Sequence, residues 1–372
     1  MALSKIDVAN MVENEMPQAN IANNVNFRNI IINGDQSIAQ RGTSTSSLSS
    51  GANFGATDRF KLYGVTFGTW TMSQSTDVPT GQGFVSSLKM DCTTANGSLS
   101  SDSQAQISQG IEGQNLQYLK KGTSNAESLT WSFWTKSNKT GTYICQIRDI
   151  DNSRSISKSY TISSADTWEK KIITFPGDTT GALDNNNEKS FEIRWWLVAG
   201  TDFTSGTLAT SWASETSANN AVGQVNLADS TSNEWYLTGA QLEVGKSASD
   251  FEFLPHDVNL QRCLRYYYLH AEGNAKSLGR GGYYSSSQAE FSLFPPVLMR
   301  ANPSLEIVTG TDYYIVYRNG GGDSLNSFTL NTESTKEAVS MLNNSEASGT
   351  AGHAAHFVTN NGSSKIALSS EL

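Results

Sequence analysis

Residues 235–254 read WYLTGAQLEVGKSASDFEFL. From Ala240 onward the apolar side chains fall on every second position, Ala240, Leu242 and Val244, until Gly245 stops the run. Successive side chains of a strand point to opposite faces, so a period of two marks a strand with one face in a core. The chain then leaves through Phe251 and Phe253, yet residues 255–372 still follow. A sheet that closes near Val244 with so much chain to come implies a second folded unit. A length of 372 residues favours the same conclusion.

The alternation recurs upstream. GFVSSLKMDCT puts Phe84, Ser86, Leu88, Met90 and Cys92 on one face, and LTWSFWTKS does so with Leu129, Trp131 and Phe133. TYICQIRD contributes Tyr143, Cys145 and Ile147, and SFEIRWWLVAG contributes Phe191, Ile193, Trp195 and Leu197. Loops rich in Gly, Asn, Asp and Ser separate them, such as KKGTSNAES and PGDTTGALDNNNEKS. Short alternating strands punctuated in this way indicate an antiparallel sandwich or barrel spanning residues 27–254. Strands are expected to begin near FRNIIINGDQSIAQR, and SQGIEGQNLQYLKKG suits a helical turn or two.

After Pro255 the period changes. DVNLQRCLRYYYLH spaces Leu260, Leu264 and Tyr267/Tyr268 as a helix does, with Asp257 placed to cap it. A second strand set follows in AEFSLF, PSLEIVT, DYYIVYRN, HAAHFVTN and SKIALSS. Residues 255–372 therefore read as a smaller β-domain entered through a short helix. Residues 1–26 carry scattered apolar positions without a period and read as an arm that docks on another body.

Charged residues make up 16% of the chain, against roughly a quarter in average soluble proteins. Ser, Thr, Asn and Gly must then carry solubility, as in TSTSSLSSGANFGAT, and these residues suit strand faces and turns. A net charge of −9 argues against nucleic acid, whose phosphates demand a basic face. No polybasic segment, no apolar run near roughly 18 residues and no signal-peptide core point to a membrane. Cys92, Cys145 and Cys263 are far apart and odd in number, so buried thiols are expected rather than a disulfide or metal site.

The stretches FRNIIINGDQSIAQRG, SYTISSADTWEKKIITFPGDTTGALDNNN, WYLTGAQLEVGKSASDFEFLPH and LQRCLRYYY, in that order, resemble a large group of bacteriophage virion proteins. These are mostly tail-fibre-like or minor structural proteins of phages of marine bacteria, and the opening MALSKIDVANM is similar to the start of such fibre proteins. The resemblance implies a jelly-roll first domain similar to carbohydrate-binding modules and a virion location. It also implies a homo-oligomer, with a trimer favoured, because closed symmetry lets a chain bury apolar surface against its own copies. By the same analogy Met1, Leu3, Ile6, Val8 and Met11 would attach the arm to other virion proteins. A tail fibre or appendage contacting host surface polysaccharide is the leading expectation. A head decoration or tail adaptor is the alternative, and a polysaccharide depolymerase the third.

Enzyme motifs are absent: there is no GxSxG, HExxH, P-loop or CxxC. RNGGGDS lacks the Lys-Ser/Thr and helix of a phosphate cradle and reads as a hairpin turn. His353 and His356 in HAAH would share a face on a helix, but their β-type surroundings favour ordinary polar loop histidines over zinc ligands. Asp149, Asp151, Asp178 and Asp184, with Asn186 and Glu188, lie in loops that could supply some of the about six to eight oxygens calcium takes, although turns select Asp and Asn anyway. No other cofactor is expected. Trp134 and Trp196 fall out of phase with the core, beside Lys136 and beside Glu192 and Arg194. A tryptophan there could offer a plate to a pyranose, with Glu192 and Arg194 reading hydroxyls; the alternative is an indole covered by another sheet, by the arm or by a neighbouring subunit. Tyr266, Tyr267 and Tyr268 beside Arg262 and Arg265 could stack on single-stranded nucleic acid, but the acidic chain favours a packed hinge.

Overall fold

The computed structural model describes residues 27–372. Met1, Leu3, Ile6, Val8 and Met11, and the whole 1–26 arm, lie outside them. The described chain is mainly β, and it divides into two compact units, the first ending at Leu254 and the second running Pro255–Leu372.

Among the described residues, thirteen strands form the first unit. They are β1 (Ser44–Leu48), β2 (Gly51–Asn53), β3 (Lys61–Val65), β4 (Thr69–Ser75), β5 (Ser87–Thr94), β6 (Gln104–Glu112) and β7 (Leu129–Ser137). There follow β8 (Gly141–Asp149), β9 (Arg154–Ile162), β10 (Glu169–Phe175), β11 (Lys189–Ala199), β12 (Ala213–Ser214) and β13 (Glu234–Val244). They build a six-stranded sheet of order β1-β4-β5-β13-β7-β10 and a seven-stranded sheet of order β12-β9-β8-β11-β6-β3-β2. From β5 onward the chain passes repeatedly from one sheet to the other, the connectivity of a jelly-roll sandwich.

The inward phase read from the sequence is the core. Trp131 and Phe133 of β7 meet Trp195 of β11 across the sandwich, all fully buried. Trp131 and Trp195 pack edge to face at 4.5 Å, and Phe133 packs edge to face on Tyr160 of β9 at 5.1 Å. Such pairs add about 0.5–1.5 kcal/mol each beyond the area they bury. All three cysteines are buried thiols, and burial pushes Cys92 up to about 11.

In β13 the register to β7 shifts between Thr238 and Gln241. Gly239 sits there at φ +59, where a Cβ would come within 2.5 Å of the Phe84 ring. The extra residue resets the phase, so Trp235 and Leu237 before it and Ala240 and Leu242 after it all face the core. Phe84 lies just before β5 and packs on Phe251 and Phe253, both at 5.1 Å.

FRNIIINGDQSIAQR forms no strand. Its isoleucines are buried, but side chains satisfy part of its backbone: Ile32 N donates to Gln109 Oε1 (2.8 Å), and Gln109 Nε2 returns a bond to Ile32 O (2.9 Å). An apolar run bounded by a turn signal fits either a strand or a buried irregular segment, and here Gln109 decides. The stretch at 108–122 does contain two short 3-10 turns, Gly113–Asn115 and Gln117–Leu119.

The second unit opens with helix α1 (His256–Leu264). Pro255, not Asp257, holds the cap position; Asp257 lies in the first turn, where its charge complements the helix dipole. Strands β14 (Tyr267–Glu272), β15 (Ser277–Ser285), β16 (Gln288–Leu293), β17 (Ser304–Val308) and β18 (Tyr314–Arg318) follow. Then come β19 (Gly321–Leu325), β20 (Thr329–Leu330), β21 (Val339–Asn343), β22 (Ala354–Thr359) and β23 (Lys365–Ser369). Three of them pair as β14-β23-β17 and seven as β19-β18-β22-β15-β16-β21-β20. Phe291, Phe328, Phe357 and Tyr314 fill the core between them. The helix predicted to reach Tyr267/Tyr268 stops at Leu264: Tyr266 is a buried turn residue, and Tyr267 and Tyr268 are strand, paired with Ser369 and Leu368, rather than a stacking platform. No helix of the described residues is long and apolar enough to cross a membrane.

Candidate functional site

The two outward tryptophans part company because β7 and β11 belong to different sheets. Trp134 sits on the six-stranded sheet, half-buried and beside Gly239. Trp196 sits on the seven-stranded sheet and is fully buried, which corrects its reading as an exposed plate. The segment after β11 turns helically at Thr201–Thr204 and folds back over the sheet. Phe203 packs on the indole at 5.3 Å, and Leu208, Ala221 and Ile144 complete the cover. The covering partner is thus a loop of the same chain.

Beside that loop lies the polar face predicted from Glu192 and Arg194. Strand register fixes two rows across it: Lys61, Ser108, Arg194, Gln146 and Ser157, then Gly110, Glu192, Arg148 and Ser155. Glu192 is buried at their centre. Arg194 Nη2 reaches its Oε2 at 2.5 Å, Lys189 Nζ its Oε1 at 2.9 Å, Arg148 Nη1 its Oε2 at 3.5 Å and Lys61 Nζ its Oε1 at 3.6 Å. Arg148 also binds Glu215 at 2.5 Å. Burial pushes the Glu192 carboxyl upward, but Arg194, Lys189 and Lys61 outweigh that and hold it well below the usual carboxylate range. Glu192 and Glu215 thus share four cations, Lys61, Lys189, Arg148 and Arg194.

Several buried polar atoms here have no partner among the described residues. Gln146 Oε1 accepts from Trp196 Nε1 (3.3 Å), while Gln146 Nε2, Arg148 Nε and Asn220 Oδ1 bond to no described residue. Tyr63, 38% exposed, stands one residue pair beyond Lys61 on the same face. Gln146 and Arg148 were legible as the outward phase of TYICQIRD; Lys61 and Glu215 come from remote segments and carried no signal.

The carboxylates considered for calcium are organised around a lysine. Lys121 Nζ contacts Asp149 Oδ2 (2.5 Å), Asp178 Oδ2 (3.1 Å) and the carbonyls of Thr180 and Gly181 (both 2.8 Å). Arg154 binds Asp178 through both forks at 2.8 and 3.0 Å. Asp151 instead accepts from the Asp184 backbone at 2.9 Å. Asp149 and Asp178 are therefore neutralised by the chain's own cations, and no cluster of three or more acidic, His or Cys ligands occurs among the described residues. His353 lies just before β22 and His356 within it; extended chain sends side chains three apart to opposite faces, so they do not share a ligand.

The outer face of the six-stranded sheet carries an aromatic group the sequence reading passed over. Trp168 donates from Nε1 to Asp77 (2.9 Å) and meets Tyr236 edge to face at 6.0 Å, while Lys136 lies 4.4 Å over the Tyr236 ring and pairs with Asp77. Lys136 closes that ring to solvent, and Tyr236 is 7% exposed.

No protein-family model matches the chain, and no curated protein matches it. Among solved structures it is similar to the enzymatically active domain of tailspike protein 4 of bacteriophage CBA120, at 15% identity and a TM-score of 0.30. That match covers 59% of this chain and 22% of the tailspike chain. It is similar to TmCBM61 in complex with beta-1,4-galactotriose, at 10% identity and a TM-score of 0.27, over 50% of this chain and 88% of that one. It is also similar to a family 11 carbohydrate-binding module from Clostridium thermocellum, at 12% identity and a TM-score of 0.26, over 56% and 99% of the two chains. Likenesses at this level assign neither family nor ligand.

Proposed function

We propose that the chain is a non-enzymatic structural protein of a bacteriophage particle, a tail-fibre or appendage component that touches host surface polysaccharide. The phage attribution rests on the sequence resemblance. The sugar contact rests on one observation, the pre-paired Glu192–Arg194–Arg148 face beside the partly exposed Tyr63 ring. Planar side chains locked by one another present hydrogen-bond groups to hydroxyls at little further entropic cost. Glu192, held ionised by its cations, has no proton to donate at neutral pH, which favours binding over acid catalysis. A trimer attached through the 1–26 arm completes the reading.

A glycan array of bacterial surface polysaccharides tests it. Binding weakened about tenfold by Arg194→Ala, with no reducing sugar released, supports the proposal. Sugar release would point to a depolymerase. A second reading, a head decoration or tail adaptor, is favoured by the apolar group Phe84, Phe251 and Phe253, beside which Val85 is 70% exposed and Phe253 51% exposed. An empty array, with antibodies that leave adsorption untouched, selects that reading.

A further inference from the structure

The second unit carries a surface depression of about 640 Å³ on its seven-stranded sheet. Register sets its principal row: Arg280 of β15 lies opposite His356 of β22, His356 opposite Tyr317 of β18, and Tyr317 opposite Gly322 of β19. The next pair on that face is Gly282 and Ala354. Gly320, Gly321, Gly322 and Ala354 line the depression beside this row, where no large side chain fills it. Tyr317 keeps 49% of its surface exposed beside this floor. Arg280 is exposed and makes no ion pair among the described residues. The ionisable lining is Arg280, Arg318, His356 and Tyr317, with no carboxylate, in a chain whose net charge is −9.

From this juxtaposition we infer that the depression is a binding site for an acidic saccharide, a pyranose bearing a carboxylate or a sulfate. The Tyr317 ring meets the C–H face of the sugar, as aromatic plates meet apolar surface. Arg280 takes the anionic group, because a guanidinium fork matches two oxygens of a carboxylate or sulfate. His356 lies between them, held through Nε2 by Ser277 Oγ at 3.0 Å, and its ring presents a polar edge to a hydroxyl. A neutral glycan would leave Arg280 without its partner.

The site stands on the second unit alone and does not depend on the Glu192 face. Isothermal titration of the full chain with oligogalacturonate, sulfated carrageenan oligosaccharide and maltohexaose tests it. Binding of one or both acidic probes, absent for maltohexaose, is expected. Arg280→Ala and Tyr317→Ala should each weaken it about tenfold, while Tyr317→Phe leaves it within about twofold. Both test positions are exposed, so the variants should fold, and an unchanged melting curve checks this. Equal binding of maltohexaose, silence with both acidic probes, or loss through Arg194→Ala instead of Arg280→Ala overturns the inference.

Discussion

The two units hold their polar groups by different means. The first buries charge: Lys121 with Asp149 and Asp178, and Glu192 among four cations. The second ties much of its interior together with neutral groups. Tyr314 OH donates to Val308 O at 2.7 Å, and the His270 ring bridges Tyr268 OH (3.0 Å) and Leu278 O (2.7 Å). Burial lowers the His270 pKa, with the Leu278 bond opposing, so the ring is neutral, accepting at Nδ1 and donating from Nε2. Two sandwiches in one chain thus answer to different solution variables. Acid reaches the second through a histidine and the first through carboxylates.

The largest expected effect separates the cores. Trp195→Ala removes the residue that meets both Trp131 and Phe133 and should cost about 3–5 kcal/mol. Calorimetry of the full chain should show one transition shifted and another unmoved; a common shift would dissolve the contrast between the units. Lys121→Ala comes next. It leaves Asp149 buried without a cation while Asp178 keeps Arg154, so a loss of about 3 kcal/mol from the same transition is expected in denaturant melts.

The acid response sharpens the comparison. A group whose folded pKa is depressed contributes stability above its unfolded pKa and loses it as pH falls. For His270 that loss begins near the ordinary histidine value of about 6.5, and for Glu192 near the ordinary glutamate value of about 4.3. Between those values the second unit should weaken while the first holds. His270→Gln should flatten the second unit's profile in that window, and an unaltered slope would remove histidine as the cause. The smallest effect concerns the cover of Trp196. Phe203→Ala with Leu208→Ala trims half-buried side chains, should cost about 1–2 kcal/mol, and should make one more tryptophan quenchable by acrylamide. An unchanged quenching curve would mean that the indole is sheltered by other groups.

Alternation made much of the first unit legible. Trp131, Phe133, Tyr143, Ile193 and Trp195 were assigned inward by phase, and all are fully buried. Phase also named Glu192 and Arg194 as outward, because it is local and needs no knowledge of sheet order. It could not say that β7 and β11 lie in different sheets, which separated Trp134 from Trp196. Nor could it foresee the loop over Trp196, since cover is a matter of tertiary return. In the second unit β15 escaped notice because Gly279 and Gly281, opposite the buried Phe357 and Ala355, erase the apolar half of its period. The depression was invisible because its row, Arg280, His356 and Tyr317, is assembled from three strands that only the sheet order brings together. Turn-type aspartates misled in another way: Asp149 and Asp178 do gather around a cation, but that cation is Lys121, dozens of residues away in the case of Asp178.

That lysine has a practical consequence. An ion bound from solution can be stripped by a chelating agent or lost when the medium is diluted. An ammonium on its own side-chain leash travels with the polypeptide, so the first sandwich keeps its keystone in soft water and brine alike.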